Sequence, residues 1–369
     1  MQSAIERILN KVDEILKTRE FIERHRSKES DFTRERNLRF EEVIQFVIGN
    51  LGTSLDFEVL NFLKNRKESV TSSALCQARD KIKSSAFEEI FKISGRDIAV
   101  RHTYRGYRLT AYDGMKGELP RTPELMEKGC ESENNKYPQF HAVAEYDVLN
   151  CCYTNALFQL GTADERSAAM ELLNKHDYDG NEIFLLDRGF PSLAMIQALD
   201  KSGKNYVMRV SKQFIREVNE FGSSKANDET LQIDYEKRRG ATSRLKGVEL
   251  PYSFRLRCVK IELDNGDIEV LVTNLDKSEF SRKDIGELYN LRWKIETGFL
   301  HLKYAVRIED FMGVKENSIM QEFFASLFKA NLFMQFVDVA NDIIFNKKNQ
   351  MRSMNTKLTY DTPILGKLQ

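Results

Sequence analysis

The sequence predicts an α/β protein in which a mixed sheet carries an all-β insertion and has helical regions before and after it. Three observations lead there. Apolar residues recur at three- and four-residue spacing over roughly the first 100 residues and again from about residue 276 onward. From about residue 105, short β-rich runs alternate with helical stretches. A basic, strand-like segment from 211 to 275 then interrupts that alternation.

At the start of the chain, Ile5, Ile8, Leu9, Val12, Ile15 and Leu16 fall on one helix face, and FEEVIQFVIGN and FEVLNFLKN continue the pattern. Thr71, Ser72 and Ser73 cap a helix over SALCQARDKI, and Ser84 and Ser85 restart one at AFEEIFKI. RLTAYDG, FHAVAEYDV and CYTNALFQL read as strands, ERSAAMELLNKH as a helix. EIFLLDRGF is apolar without alternation, as in a strand covered on both faces. A helix (SLAMIQALDKSG) and a strand (NYVMRV) follow. Three strands, helix, strand, helix, strand is the order of an RNase H-like sheet. SFRLRCVKIEL and IEVLVTNL supply the β insertion. Beyond it, SRKDIGELYNLRWKIETGFLHLKYAV reads as one helix and NSIMQEFFASLFKANLFMQFVDVANDIIF as another, with a loose polar tail from Lys347. The expected boundaries are 1–104 (helical), 105–210 (first part of the core), 211–275 (β insertion), 276–316 (second part of the core) and 317–369 (helical region and tail).

Composition constrains the function only loosely. The 369 residues are 41% hydrophobic, enough for a core, and Lys+Arg balance Asp+Glu at 56 each, so net charge makes no case for nucleic acid. Distribution says more. From Asp113 to Asp187 there are 6 Lys/Arg against 15 Asp/Glu, a net of −9. From Arg209 to Lys260 the count is 12 against 7, a net of +5, and from Met1 to Thr110 it is 21 against 17, a net of +4. An acidic centre between basic flanks suits a carboxylate metal site served by separate anion-binding surfaces, and scattered solvated charge is the bland alternative. Cys76, Cys130, Cys151, Cys152 and Cys258 include no Cys-x-x-Cys and make neither a zinc site nor an evident disulfide framework. The amphipathic, charged start MQSAIERILNKVDEILK is no secretory signal, and no apolar run of about eighteen residues exists. A soluble, cytoplasmic protein with no membrane partner is expected.

Three carboxylates stand out by context. Asp113 is placed at the end of a strand and followed by Gly114, so its side chain emerges at a sheet edge. Asp187 ends the most apolar run in the chain, where an unpartnered carboxylate would be costly. A structural pairing with Arg188, or a cap on the next helix, remains the alternative. Glu296 shares a strip of about 60° with Tyr289, Arg292 and Lys303 on one continuous helix, while Leu288, Leu291, Ile295, Phe299 and Leu302 form a separate stripe. The plain alternative is a solvated face with an Arg-to-Glu pair four residues apart.

Tyr289-x2-Arg292-x3-Glu296-x6-Lys303 resembles the Tyr-Arg-Glu-Lys signature of DDE-class insertion-sequence transposases, in the group named after insertion sequence four. Tyr112-Asp113-Gly114 with Leu119-Pro120 resembles the first catalytic block of that family, and Leu186-Asp187-Arg188-Gly189-Phe190 the second. Leu271-Val272-Thr273-Asn274-Leu275 is similar to the strand leaving its β insertion, and Phe32-Thr33-Arg34 to Phe40 and Ser73-Ala74 to Ala78-Arg79 to its N-terminal helical region. The blocks span roughly residues 30 to 330, and Met115 departs from the small hydroxyl residue expected after Asp-Gly.

The resemblance implies a DNA transposase that cleaves and transfers strands at the inverted-repeat ends of an insertion sequence. Asp113, Asp187 and Glu296 would be catalytic and hold two Mg²⁺ ions, with Mn²⁺ expected to substitute. Tyr289, Arg292 and Lys303 would grip phosphates beside the scissile bond. Residues 1–104 would bind DNA, and the β insertion would contact the terminal repeats, with Tyr235, Tyr252 or Phe254 as candidates to brace a displaced base. Core packing is the plainer role for those aromatics, and likewise for Trp293 and His141. The expected partners are double-stranded DNA, at the inverted repeats and the target, and a second copy of the chain. Ile319, Phe323, Leu327, Ala330, Phe333, Met334 and Val337 mark a candidate dimer helix, whose alternative is burial within the monomer. Location in a bacterial cytoplasm, on the nucleoid when DNA is bound, follows from the same resemblance. A relative that binds DNA without cutting it, or a metal-dependent nuclease on other substrates, are the competing readings.

Overall fold

The computed structural model describes residues 4–34, 38–50, 52–64, 70–98, 102–130, 136–161, 164–176, 181–234, 253–263, 265–304 and 306–348. Six helices come first: α1 (Ala4–Leu16), α2 (Arg19–His25), α3 (Phe40–Gly49), α4 (Leu55–Leu63), α5 (Ser72–Arg79) and α6 (Ser85–Asp97). The Thr71 side chain accepts from the Ala74 N–H and starts α5 as expected. The core then runs β1 (Arg108–Glu118), α7 (Pro123–Gly129), β2 (Gln139–Asp147), β3 (Cys152–Leu160), α8 (Glu165–Asn174), β4 (Glu182–Leu186), α9 (Leu193–Lys201) and β5 (Asn205–Arg209). Beyond these come α10 (Arg216–Ser223), β6 (Asp228–Asp234), β7 (Ser253–Glu262), β8 (Ile268–Thr273), α11 (Arg282–Leu291), α12 (Lys294–Tyr304) and α13 (Glu316–Lys348).

All eight strands join one sheet in the order β3-β2-β1-β4-β5-β8-β7-β6. The first five form the RNase H-like arrangement: β1, β4 and β5 are parallel, β2 runs antiparallel to them, and β3, antiparallel to β2, shares their direction. Alternation along the parallel strands sorts their side chains into two cores. Leu109, Ala111, Ile183, Leu185 and Val207 face α11, α12 and α13, whereas Tyr112, Phe184, Leu186 and Met208 face α8 and α9. A strand buried on both sides needs the unbroken apolar run that EIFLL provides.

Three differences from the sequence reading have physical causes. The segment 211–275 is not purely β: it begins with α10, whose Val218 and Phe221 pack into the core. Its strands extend the main sheet, because β8 pairs antiparallel with the exposed edge of β5. The stretch read as one helix is two, α11 and α12, with Arg292 and Trp293 in a turn between them. A short helix, α7, also follows β1, with Thr122 accepting from the Leu125 N–H and Pro123 at its start, where a missing N–H does no harm.

The apolar stripe of α13 is spent inside the chain. Ile319, Phe323, Leu327 and Ala330 are buried in the core shared with α1, α3, α6 and β3. Only toward its far end do Phe333 and Phe336 become exposed, at 37% and 40%. Buried polar contacts fix how α13 docks. Arg79 reaches Glu322 at 2.6 Å and Gln321 at 2.7 Å, and Asn331 bonds the Tyr153 backbone on both sides as well as the Ser94 hydroxyl. The five cysteines are free, and among the described residues no helix is long and apolar enough to cross a membrane.

Candidate active site

The site forms where β4 stops and β1 continues. The two strands pair in parallel from Arg108 with Glu182 to Tyr112 with Leu186. The next residues along each are Asp113 and Asp187. Asp113 therefore lies within β1, five residues short of its end, and not at the strand terminus as expected. It is its neighbour that ends, which opens the sheet edge beside it. Gly114 leaves room for a close approach: a Cβ there would stand 2.7 Å from the Glu165 carboxylate at the start of α8. The Gly114 N–H donates to Asp113 Oδ1 at 2.9 Å.

Glu296 enters from α12, one turn after the break at Arg292 and Trp293. The helix sits close to the sheet here because Gly298 has no side chain, and a Cβ would come within 2.9 Å of the Tyr153 hydroxyl. The Arg292 guanidinium lies between the acids, with Nη2 3.0 Å from Glu296 Oε1 and Nη1 3.9 Å from Asp113 Oδ2. Its carbon stands 5.5 Å from the Tyr289 ring centre and 5.1 Å from that of Trp293. The Tyr289 hydroxyl donates to Asp187 Oδ1 at 2.9 Å. Arg209, at the end of β5, reaches the same oxygen at 2.8 Å and ties it to Glu269 on β8.

Electrostatics agree with this crowding. Asp113 is pushed up to about 6, first by burial and further by the nearby Glu296 and Asp187 carboxylates, against the pull of the Gly114 N–H and Arg292. Burial pushes Asp187 up as well, but the Arg188 N–H, Arg292, Arg209 and Tyr289 together hold it below the usual range. Burial drives the Tyr289 phenol well up, so it stays a donor.

Asp113, Asp187, Glu296, Tyr289 and Arg292 are thus brought together, and Lys303 is not part of the group. Lys303 instead pairs with Glu309 at 3.1 Å and lines a groove of about 380 Å³ with Lys116, Gly117 and Glu118. Lys116 is three residues past Asp113 on β1, about 10 Å along the strand. Trp293, expected to pack, is 53% exposed, whereas Arg292 beside it in the same turn is buried. Phe254 is a half-buried core residue of β7, His141 is buried in β2, and Tyr235 and Tyr252 lie outside the described residues. Arg209 escaped the sequence reading. Its only signal was its place at the end of the strand beside the one that delivers Asp187.

The donor set is what a hard divalent cation takes, three carboxylates with oxygen ligands. Negative charge is concentrated enough that Glu296 and Asp187 both raise the affinity of Asp113 for a proton. The residues therefore fit a metal centre. Among the described residues, however, no three His, Cys, Asp or Glu side chains are drawn close enough together to hold an ion.

The transposase DDE domain family matches the chain over residues 104–332. Among curated proteins, the chain is similar to the transposase for insertion sequence element IS4 of Escherichia coli (strain K12). The identity is 23% over 252 residues, covering 66% of this chain and 56% of that protein. The match thus spans little more than half the length of that relative. The putative transposase InsZ of the same strain is 27% identical over 232 residues, covering 60% of this chain and 74% of that protein. Among solved structures, a cryo-EM structure of the piggyBac transposase in a synaptic complex with hairpin DNA shares the fold. It aligns at a TM-score of 0.50 and 12% identity, over 90% of this chain and 76% of that one.

Proposed function

Because the chain belongs to the transposase DDE domain family, we propose that it cleaves and joins DNA strands at the inverted-repeat ends of an insertion sequence. The observation that carries this is the convergence of Asp113, Asp187 and Glu296, from two adjacent strands and one helix, around Arg292 and Tyr289. These three acids would hold two Mg²⁺ ions, with Mn²⁺ substituting. Such ions activate water or a DNA 3′-hydroxyl and stabilise the leaving oxygen of an in-line displacement.

The remaining roles belong to the chain's own side chains. Arg292 presents two buried nitrogens, Nε and Nη1, that make no hydrogen bond within the chain and would suit phosphate oxygens next to the scissile bond. Tyr289 keeps its proton and holds Asp187 in place. Lys303 and Lys116 line the groove further along β1 and would take phosphates one or two nucleotides away. The helical region 1–104 and the segment 211–275 would engage the repeat and the target, in a bacterial cytoplasm on the nucleoid. An element has two ends and each chain has one such site, so a homodimer assembled on paired ends is the expected working unit. Most of the α13 stripe is already buried, which leaves Phe333 and Phe336 as its free apolar positions.

The test is to incubate the chain with Mg²⁺ and DNA carrying the ends that flank its own gene. Cleavage at the junctions and joining to a target duplex are expected, at two protein copies per end pair by analytical ultracentrifugation. Binding without any Mg²⁺- or Mn²⁺-dependent cleavage would overturn the enzymatic reading.

A further inference from the structure

Every carboxylate of the centre is already engaged by a donor from the chain itself. Glu296 takes Arg292 Nη2, Asp113 takes the Gly114 N–H with Arg292 Nη1 at 3.9 Å, and Asp187 takes Arg209 and Tyr289. The acids are correspondingly not gathered into a metal-holding cluster among the described residues. Arg292 is only 1% exposed, yet Nε makes no hydrogen bond and Nη1 has only the 3.9 Å ion pair with Asp113. A buried guanidinium with spare donors is an incomplete ion pair, since buried N–H groups are almost always satisfied.

The surroundings of Arg292 differ from those of Arg209. Arg209 is fastened twice, to Asp187 and to Glu269. Arg292 sits at a helix break between two aromatic faces, and the outer face, Trp293, is half exposed. A guanidinium keeps a cation–π attraction over either face, and Trp293 is the one that reaches solvent.

We propose that Arg292 is a resident cation that holds the carboxylate centre closed in the DNA-free chain, and that a DNA phosphate opens it by drawing the guanidinium off Asp113 and Glu296. This rests on the reading of the three acids as a metal centre. A divalent cation and Arg292 compete for the same oxygens and repel each other at short range. DNA therefore tightens metal binding, and by linkage metal tightens DNA binding by the same factor. A site built this way keeps metal-activated chemistry off until an end is in place.

The experiment measures Mn²⁺ affinity by electron paramagnetic resonance on the full chain without DNA, for the unaltered protein, Arg292→Gln and Asp113→Asn. Arg292→Gln is expected to bind Mn²⁺ on the order of tenfold tighter, the scale of one charge-assisted hydrogen bond, while Asp113→Asn loses the binding. Asp113-dependent binding that is equal or weaker in Arg292→Gln overturns the proposal and leaves the metal centre standing. Binding indifferent to Asp113→Asn overturns both. The unaltered chain gives a second measurement that does not depend on a variant folding, because Trp293 is its single tryptophan. Mg²⁺ titration without DNA is expected to change Trp293 emission with the same saturation as metal binding by calorimetry, and the change should vanish in Asp113→Asn. Saturable metal binding with unchanged emission means Arg292 stays in place, and overturns the proposal.

Discussion

Tyr112 and Asp113 are adjacent in β1, yet they enter two polar clusters on opposite faces of the sheet. On the Tyr112 side, Glu145 accepts from the Tyr112 hydroxyl at 2.6 Å and from Thr154 at 2.5 Å. His176 lies between Glu145 at 3.0 Å and Glu182 at 2.5 Å, and Thr110 bonds the other oxygen of Glu182. On the Asp113 side stand more charges, but the Nε and Nη1 of Arg292 and the Nε of Arg209 make no hydrogen bond. The two clusters are built from similar residue types. What separates them is saturation: the first has acceptors and donors matched in a dry core, and the second holds its charges apart with donors to spare. A matched cluster fixes a structure, and an unmatched one at an open sheet edge is where a phosphate and a cation have room to bind.

The largest expected effect falls on the unmatched side. Asp113→Asn or Glu296→Gln should lower strand cleavage by about 10³-fold or more, since each removes a metal-binding charge, while gel-shift binding to element ends stays near normal. Asp113→Asn should not lower the melting temperature, because Asp113 is already pushed up to about 6 by burial and its acidic neighbours, so its charge opposes folding. A variant that loses end binding and stability together with cleavage would erase the contrast between the two faces.

On the matched side the damage should be to stability. His176→Gln leaves two buried carboxylates without their cation, a loss on the order of 3–5 kcal/mol for a buried charge pair, read as a lower urea midpoint. Burial alone would lower His176, but hydrogen bonds and charge from Glu145 and Glu182 raise it from 6.5 to about 9. Its folded value exceeds its unfolded one, so its contribution is complete below pH 6.5 and fades as pH rises through about 9. The urea midpoint of the unaltered chain should fall across that window, and that of His176→Gln should fall less.

The smallest effects concern grip. Arg292→Ala should weaken DNA binding and reduce the slope of log affinity against log salt by about one unit, the share of one phosphate contact. Lys303→Ala should do less, since Lys303 is half exposed and already paired with Glu309. Equal slopes for the two variants would place Lys303 as close to the scissile phosphate as Arg292.

The parts legible in the sequence were those decided by local chemistry. EIFLL announced a doubly covered strand, Thr71 announced a helix start, and Asp187 stood out as the one charge ending an apolar run. Asp113 and Glu296 face one guanidinium and Asp187 joins the cluster through Tyr289, although two assumptions behind their selection fail. Asp113 is exposed by the early end of β4, a property of another strand, and the strip shared by Tyr289, Arg292 and Glu296 survives a helix break that no proline or glycine marks. Lys303, about two turns beyond Glu296 on α12, is carried further along the helix and pairs with Glu309. Arg209 and His176 were invisible because their partners lie far away in the chain, at Asp187 and Glu269 for one and at Glu145 for the other.

The docking of α13 also bears on how the protein is made. Arg79, Ser94 and the backbone of Tyr153 find buried partners in Gln321, Glu322 and Asn331, which leave the ribosome more than 150 residues later. Until then the apolar faces of α6 and β3 that α13 covers are bare, and long-range closures of this kind are slow. A nascent chain thus carries its acids and its basic N-terminal helices well before it has a rigid frame to aim them. The frame that holds the acids is completed late, when the last long helix seats.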